Sequence, residues 1–111
     1  MTGPIRTRDW KYMRTIHDEL LNELCSRILT KDVEIAAAEQ KRPHQRFLAL
    51  YDHLRKSNRI VAECFDDWRR SNIDDKIVSL RYHGLLTDEQ VKRVSEKAQD
   101  WLHKVESIMK H

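Results

Sequence analysis

The sequence predicts an all-α fold of long helices with a short helix-turn-helix tip, assembled as an extended dimeric helical bundle. The 111-residue chain has only two glycines and two prolines, although loop-rich and β-rich folds need these residues at their turns. Charged residues make up 35% and hydrophobic residues 40%, which is too apolar for a disordered chain. Apolar residues recur at spacings of three and four along most of the chain, the period of a buried helical face.

The length predicts one domain. We expect a flexible N-terminal tail over residues 1–8 and a single all-helical domain over residues 9–111, with Thr7 or Asp9 capping the first helix. The start of the chain lacks the apolar core of a signal peptide, and no apolar run approaches the length of a membrane span. The expected protein is soluble and cytoplasmic.

The first helix is predicted from Asp9 to about Lys41, where neither glycine nor proline occurs. Its apolar stripe consists of Trp10, Met13, Ile16, Leu20, Leu21, Leu24, Ile28, Val33 and Ile35. The polar stretch around Thr30–Asp32 interrupts this pattern. The sequence leaves open whether the helix is continuous there or broken.

A second long helix is predicted after Pro43, from about His44 to Arg70, because proline disfavours helical geometry at the residue before it. Its pattern is clearest in the stretch "LYDHLRKSNRIVAECFDDW" at 50–68. The large apolar residues there are Leu50, Tyr51, Leu54, Ile60, Val61, Phe65 and Trp68.

The tip begins with Ser71 or Asn72 as a cap, followed by a short helix to Tyr82 or His83. Gly84 is the only glycine after Gly3, and it suits the left-handed position that ends many helices. "TDEQ" at 87–90 matches a capping box. The last helix is predicted from there on, with a heptad-like series that consists of Val91, Val94, Ala98, Trp101, Leu102, Val105 and Ile108.

The length of the first helix predicts a dimer. A helix of about 33 residues is roughly 50 Å long, whereas a compact chain of this size has a radius of gyration of about 13 Å. Each large apolar side chain left in water forfeits roughly 1.5–3 kcal/mol, so a second copy of the chain is the expected cover. The alternative is a compact monomeric bundle in which the first helix is broken near Thr30–Asp32.

No catalytic or metal-binding motif is found in the sequence. The histidines are scattered and match neither HExxH nor the Glu-x-x-His of di-iron bundles; they are His17, His44, His53, His83, His103 and His111. Cys25 and Cys64 lie within apolar patterns and are expected to be reduced thiols. The adjacent carboxylates of "FDDW" at 65–68 point in different directions on a helix. We therefore expect a non-enzymatic protein without metal or cofactor.

Basic residues cluster at 41–46 ("KRPHQR"), at 55–59 and at 69–70, and the formal net charge is +3. Phosphate groups could bind such clusters. Nearby acidic residues favour a solvated surface of ion pairs instead. A small basic helical protein that binds nucleic acid or another polyanion is therefore the alternative function.

Three motifs in one order resemble the fluorescence recovery protein family. They are "LALYDHL" at 48–54, "CFDDW" at 64–68 and "GLLTDEQ" at 84–90. The family pattern reads W-x-L-H-D-x-L, then a Y-D-D element at the same distance, then a G-L-x-x-x-E-x turn before the last helix. The resemblance covers about residues 45–105 and needs one inserted residue before Gly84.

The resemblance implies an all-helical homodimer without cofactor or enzymatic activity. Members of the family bind photoactivated orange carotenoid protein, promote its return to the resting form and so end quenching of the light-harvesting antenna. The family residues linked to the dimer contact and to activity are tryptophan, histidine, aspartate and arginine. The corresponding residues here are Leu48, Tyr51, Asp52 and Asn58, so only the aspartate is retained.

We therefore expect a dimeric regulatory protein that binds orange carotenoid protein or a related carotenoid-binding or regulatory protein. The residues expected at the dimer contact are Leu48, Tyr51, Asp52, Leu54, Asn58, Val61 and Phe65. Tyr82 and His83, within the tip at 72–86, are the candidate partner surface.

Overall fold

The computed structural model describes residues 3–109 and contains five α-helices in that range. They are α1 (Thr7–Ala36), α2 (Pro43–Phe65), α3 (Ile73–Tyr82), α4 (Asp88–Val91) and α5 (Glu96–Met109). No strand occurs between residues 3 and 109, so the predicted all-α class is confirmed. Within the same residues, none of the helices has both the length and the apolar character needed to cross a bilayer.

The first helix is continuous through Thr30–Asp32. The hydroxyl of Thr30 donates to the carbonyl of Ser26 at 2.9 Å, so the polar side chain is satisfied without a break. The helix ends at Ala36 rather than near Lys41, because a turn closed by a bond from Lys41 N to Ala38 O (2.9 Å) leads the chain into α2.

The second helix is shorter than predicted. It ends at Phe65 instead of Arg70, since Asp66 is extended and Asp67 adopts a left-handed conformation with φ 58°. The indole of Trp68 turns back and donates to the carbonyl of Cys64 at 2.6 Å, while the Asn72 side chain donates to the carbonyl of Asp67 at 2.7 Å. Side-chain bonds therefore stabilise a turn where the sequence pattern alone predicts more helix.

A short helix, α3, follows the turn after α2. Asn72 precedes α3, which ends at Tyr82, and Gly84 has φ 69°. The amides of Leu85 and Leu86 both donate to the carbonyl of Leu80, at 2.9 and 3.3 Å. This left-handed ending lets the chain reverse toward α4.

The predicted last helix is in fact two helices. The capping box is present, because Gln90 N donates to Thr87 Oγ1 at 3.2 Å and Thr87 N donates to Gln90 Oε1 at 2.9 Å. However, α4 ends at Val91 and α5 begins only at Glu96. Between them, the backbone amide and the hydroxyl of Ser95 both donate to the buried carboxylate of Asp9, each at 2.7 Å. Ser95 Oγ also accepts a bond from Ala98 N at 3.3 Å, so a local N-cap and this long-range contact together start a new helix within a continuous apolar pattern.

The core lies at one end of the molecule, which we call the head. It joins the first part of α1 and the end of α2 to α3, α4 and α5 through Ile5, Met13, Ile16, Leu20, Leu24, Cys64, Phe65, Ile73, Ile77, Leu80, Leu85, Leu86, Val91, Val94, Ala98 and Leu102. Ile5 is buried and its carbonyl accepts a bond from Arg70 at 2.6 Å. The packed domain therefore begins earlier than residue 9; of the predicted tail, residues 1 and 2 lie outside the described residues.

The rest of α1 and α2 extends away from the head as an antiparallel pair, which we call the hairpin (residues 25–60). The molecule measures 55 × 31 × 23 Å and has a radius of gyration of 16.9 Å. It is thus longer than a compact chain of this size, as the length of the first helix predicts.

Candidate interaction surfaces

The hairpin buries almost nothing. Among residues 25–60, Ser57 alone is buried. Several large apolar side chains there are 45–68% exposed: Leu29, Val33, Phe47, Leu48, Tyr51 and Leu54. We call these six residues the hairpin face. Monomeric proteins rarely leave such a cluster of large apolar side chains in water.

Five residues of the hairpin face lie on one side of the two helices, and the sixth, Leu48, lies about 90° farther round α2. Because successive residues of a helix are about 100° apart, residues 47, 51, 54 and 58 of α2 form one stripe. His53 and Ser57 lie on the side of α2 that meets α1. The stripe lies roughly a third of a turn round the helix from that side. On α1, Leu29 and Val33 are displaced in the same rotational sense from Asp32, which contacts His53. Because the helices are antiparallel, equal rotations bring both stripes to the same side of the hairpin.

Asp52 lies beside this face and has partners on its own helix. Arg55 and Lys56 each approach its carboxylate at 2.9 Å. Hydrogen bonds from Lys56 and then Arg55 hold the pKa of Asp52 below its usual value. The partners of Asp52 are therefore its own helix neighbours at i+3 and i+4, and its side chain is 46% exposed.

The remaining residues expected at the dimer contact separate into two groups. Asn58 is exposed on the stripe of the hairpin face, and Val61 is half-buried where the hairpin meets the head. Phe65 lies on the same stripe, but it is buried in the core of its own chain. Trp68 stacks on it at 5.9 Å between ring centroids, and His17 meets it edge-on at 5.5 Å. Phe65 is therefore not available to a second chain.

Tyr82 and His83 lie at the tip but differ in exposure. The Tyr82 side chain is 70% exposed. His83 is half-buried, and its Nε2 lies 3.0 Å from Glu63 Oε2. Its backbone is also held, because Arg27 donates to the carbonyls of His83 and Gly84 at 3.4 and 3.2 Å. The tip is thus bound to α1 and α2, with Tyr82 as its exposed apolar residue.

A mostly apolar groove of about 500 Å³ lies beside Tyr82, between α3 and α5. Its lining consists of Val78, Arg81, Tyr82, Gly84, Leu102, Glu106 and Met109. Arg81 donates to Glu106 at 2.8 Å and also to Asp88. The bond from Arg81 holds the pKa of Asp88 below its usual value, and the two pairs leave the groove little free charge.

The sequence pattern missed a polar network across the hairpin. His53 Nδ1 lies 2.7 Å from Asp32 Oδ1, and His53 Nε2 lies 3.4 Å from Ser57 Oγ. His53 and Ser57 are four residues apart, so the sequence does predict that they share one face of α2. No local pattern predicts that this face contacts Asp32. The order of groups is that of a Ser-His-Asp triad. Ser57 is buried within α2, where backbone N–H groups bond within the helix and cannot stabilise an oxyanion.

The cysteines and histidines do not converge on one site in the described residues. Cys64 is buried, and burial raises the pKa of its thiol to about 11. Cys25 is half-buried on α1. Between residues 3 and 109, no three His, Cys, Asp or Glu side chains are arranged to hold a metal ion. His111 lies outside the described residues.

Comparison with known proteins adds no relative to these observations. No family model, no curated protein and no solved structure matches the chain.

Proposed function

We propose that the chain is a non-enzymatic, homodimeric helical regulatory protein that binds another protein and shifts its conformational equilibrium. The observation that carries this proposal is the hairpin face, a group of six large, exposed apolar side chains on a pair of helices that has no apolar core of its own.

A second copy of the chain is the occupant that best fits this face. Two hairpins packed face to face would form a four-helix arrangement in which each supplies the apolar layer that the other lacks. Fully burying one such side chain contributes roughly 1.5–3 kcal/mol, and about half of that gain is still open to each residue of the face. A two-fold contact of this kind uses the same surface on both copies.

The charges around the face fit the same arrangement. Asp52, Arg55 and Lys56 form a group of ion pairs at its edge, so they form a polar rim beside an apolar centre. This is the usual anatomy of a protein–protein interface.

The tip is the proposed surface for the regulated protein. It combines the exposed ring of Tyr82 with the apolar groove between α3 and α5, and it lies in the head, away from the hairpin face. One dimer would therefore carry two copies of this surface. A partner is regulated only if the tip binds one of its conformations more tightly than the other.

The resemblance to the fluorescence recovery protein family supplies the specific hypothesis. In that case the partner is photoactivated orange carotenoid protein, or a related carotenoid-binding or regulatory protein, and binding speeds its return to the resting form. Asp52 is the family residue retained, while Leu48, Tyr51 and Asn58 replace the tryptophan, histidine and arginine.

Binding of nucleic acid is the less favoured function, because two of the basic clusters are engaged by acidic residues. Asp52 pairs with Arg55 and Lys56, and Asp67 pairs with Arg69. A salt titration separates the two functions, since affinity for a polyanion falls steeply with salt through release of counterions, whereas apolar docking responds weakly.

The dimer is tested by light scattering at micromolar concentration. The expected mass is twice the 13.4 kDa of the chain. A monomer that persists as the concentration is raised would remove the dimer from the proposal.

The regulatory activity is tested by mixing the protein with photoactivated orange carotenoid protein and following the red-to-orange decay. We expect faster decay, and we expect Tyr82→Asp to abolish the acceleration without changing the dimer mass. Asp18→Ala, at an exposed residue of α1, is the control and should leave the decay unchanged. If a confirmed dimer gives neither acceleration nor a complex, the assembly stands and the proposed partner is wrong.

A further inference from the structure

A basic hollow lies at the far end of the hairpin, where α1 passes into α2. Its volume is about 400 Å³. The lining comes from the last turns of α1, the connector and the first turns of α2: Lys31, Glu34, Ile35, Ala38, Gln40, Lys41, Arg46 and Ala49. The hollow therefore differs in place from both the hairpin face and the tip.

Three cations and one carboxylate line this hollow. The carboxylate Glu34 forms an exposed ion pair with Lys31, and Lys31 Nζ lies 3.5 Å from Glu34 Oε2. Neither Lys41 nor Arg46 forms an ion pair with any residue in the range 3–109. The lining thus carries an excess of positive charge that the described part of the chain does not neutralise.

Arg46 is held in place without a carboxylate. Its Nη1 donates to the carbonyl of Ala36, at the end of α1, at 2.9 Å. Its Nε is buried and has no acceptor among the described residues. Leaving a buried donor unsatisfied is unfavourable, and each such group in a native protein calls for a physical reason. An anion in the hollow would lie beside this fixed guanidinium and offset its charge.

We propose that the hollow binds a tetrahedral oxyanion, either free phosphate or the phosphate group of an ester. Arginine and lysine are the side chains that proteins use for this chemistry, with arginine as a planar donor and lysine as a mobile charge. Here Arg46 supplies a fixed positive charge at the end of α1, and Lys31 and Lys41 line the hollow from α1 and from the connector. The site uses none of the six residues of the hairpin face, so it is independent of the proposed dimer.

The test is a titration of the full chain with inorganic phosphate, followed by the ¹H–¹⁵N correlation spectrum. Sodium chloride keeps the ionic strength constant. We expect saturable shifts confined to the amides of residues 31–49 and to the Nε–H of Arg46. Shifts that do not saturate, or that spread evenly over the chain, would overturn the proposal.

Variants of exposed lysines separate a site from a general effect of charge. Lys31→Gln and Lys41→Gln should each weaken phosphate binding about threefold, the size of one exposed charge interaction. Both side chains are exposed, so the fold should be kept. Lys104→Gln removes the same charge from an exposed residue of α5 and should bind phosphate like the parent chain. Equal weakening in all three variants would contradict a local site.

A short oligothymidylate identifies the source of the phosphate group. If it shifts the same resonances and competes with inorganic phosphate, the natural ligand is a nucleic-acid phosphodiester. If phosphate alone binds, the ligand is the free anion or a small monoester. Absence of binding by both probes would refute the site.

Discussion

The imidazole Nδ1 of His53 lies 2.7 Å from Oδ1 of Asp32, and this pair joins α2 to α1 in the part of the hairpin that buries no apolar side chain. Both side chains are largely shielded from water, at 26% and 13% exposure. The pair therefore links the two helices at one level of the hairpin, as the bond from Arg46 to the carbonyl of Ala36 does at its far end.

The first prediction concerns this pair. His53→Ala should lower the free energy of unfolding by about 1–2 kcal/mol, because it leaves the half-buried carboxylate of Asp32 without its partner. A double-mutant cycle with Asp32→Ala should give a coupling of about 0.5–1.5 kcal/mol, measured by urea unfolding at one fixed protein concentration.

The exposed pair of Glu89 and Lys92, at 3.5 Å, is the matched control for that cycle. Its coupling should stay below about 0.5 kcal/mol, since water screens such pairs and their side chains lose freedom on pairing. If the two cycles gave the same coupling, His53 and Asp32 would not be linking the two helices.

The second prediction tests the hairpin face. Leu54→Asp should raise the dissociation constant of the proposed dimer by about 100-fold or more, because an unpaired carboxylate would be buried on association. Leu54 is 45% exposed in the single chain, so the protomer should keep its helical circular dichroism. Light scattering across a dilution series measures the change.

Ile108→Asp is the control for the hairpin face, since Ile108 is 75% exposed on α5 in the head. Its mass at each dilution should match that of the parent chain. A Leu54→Asp variant that remained as dimeric as the parent would show that the copies meet through another surface.

The third prediction concerns the bond between the two ends of the chain. Asp9→Asn should lower the free energy of unfolding by about 2–4 kcal/mol. The buried carboxylate accepts bonds from the amide of Arg6 at 3.0 Å and from the amide and hydroxyl of Ser95 at 2.7 Å. In asparagine, an NH2 group would take the place of one acceptor oxygen, and this donor would face the N–H and O–H donors of Arg6 and Ser95.

Asp18→Asn makes the same chemical change at a side chain that is 92% exposed. Surface substitutions of this kind usually change stability by no more than about 0.5 kcal/mol. Urea unfolding of both variants measures the difference. Equal effects would mean that Asp9 contributes only as one more charge on the first helix.

The fourth prediction is a pH dependence that arises from Cys64. Burial, followed by the negative charge of Glu63, raises the pKa of this thiol from 9.0 to about 11. Above pH 9 the unfolded chain loses this proton while the folded chain retains it, so the contribution to stability is complete below pH 9 and is lost toward pH 11. Parent and Cys64→Ala chains should therefore differ less in unfolding free energy at pH 10.5 than at pH 8.

Thiol labelling at pH 8 provides a second measurement. In a Cys25→Ser chain, Cys64 should react with a disulfide reagent only as fast as the protein opens, because the buried thiol is protonated and shielded. Rapid labelling of the folded chain would contradict the raised pKa.

The sequence by itself determined the class of fold and several helix ends. Three local features act on the helices next to them. Neither glycine nor proline occurs between Ile5 and Arg42, where α1 forms, Pro43 occupies the first position of α2, and Gly84 follows the end of α3. The helical period also located Tyr51 and Leu54 on one stripe, since that depends only on 3.6 residues per turn.

Tertiary structure decided what local patterns do not encode. Helical periodicity continues through Ser95, but the buried carboxylate of Asp9, 86 residues away, binds the amide of Ser95 where the new helix begins. Phe65 and Tyr51 share one stripe, yet Phe65 is buried beneath Trp68 in the head, whereas Tyr51 on the hairpin is exposed. Periodicity shows which apolar residues form a face to be buried. The tertiary structure determines which of these residues are buried within the same chain.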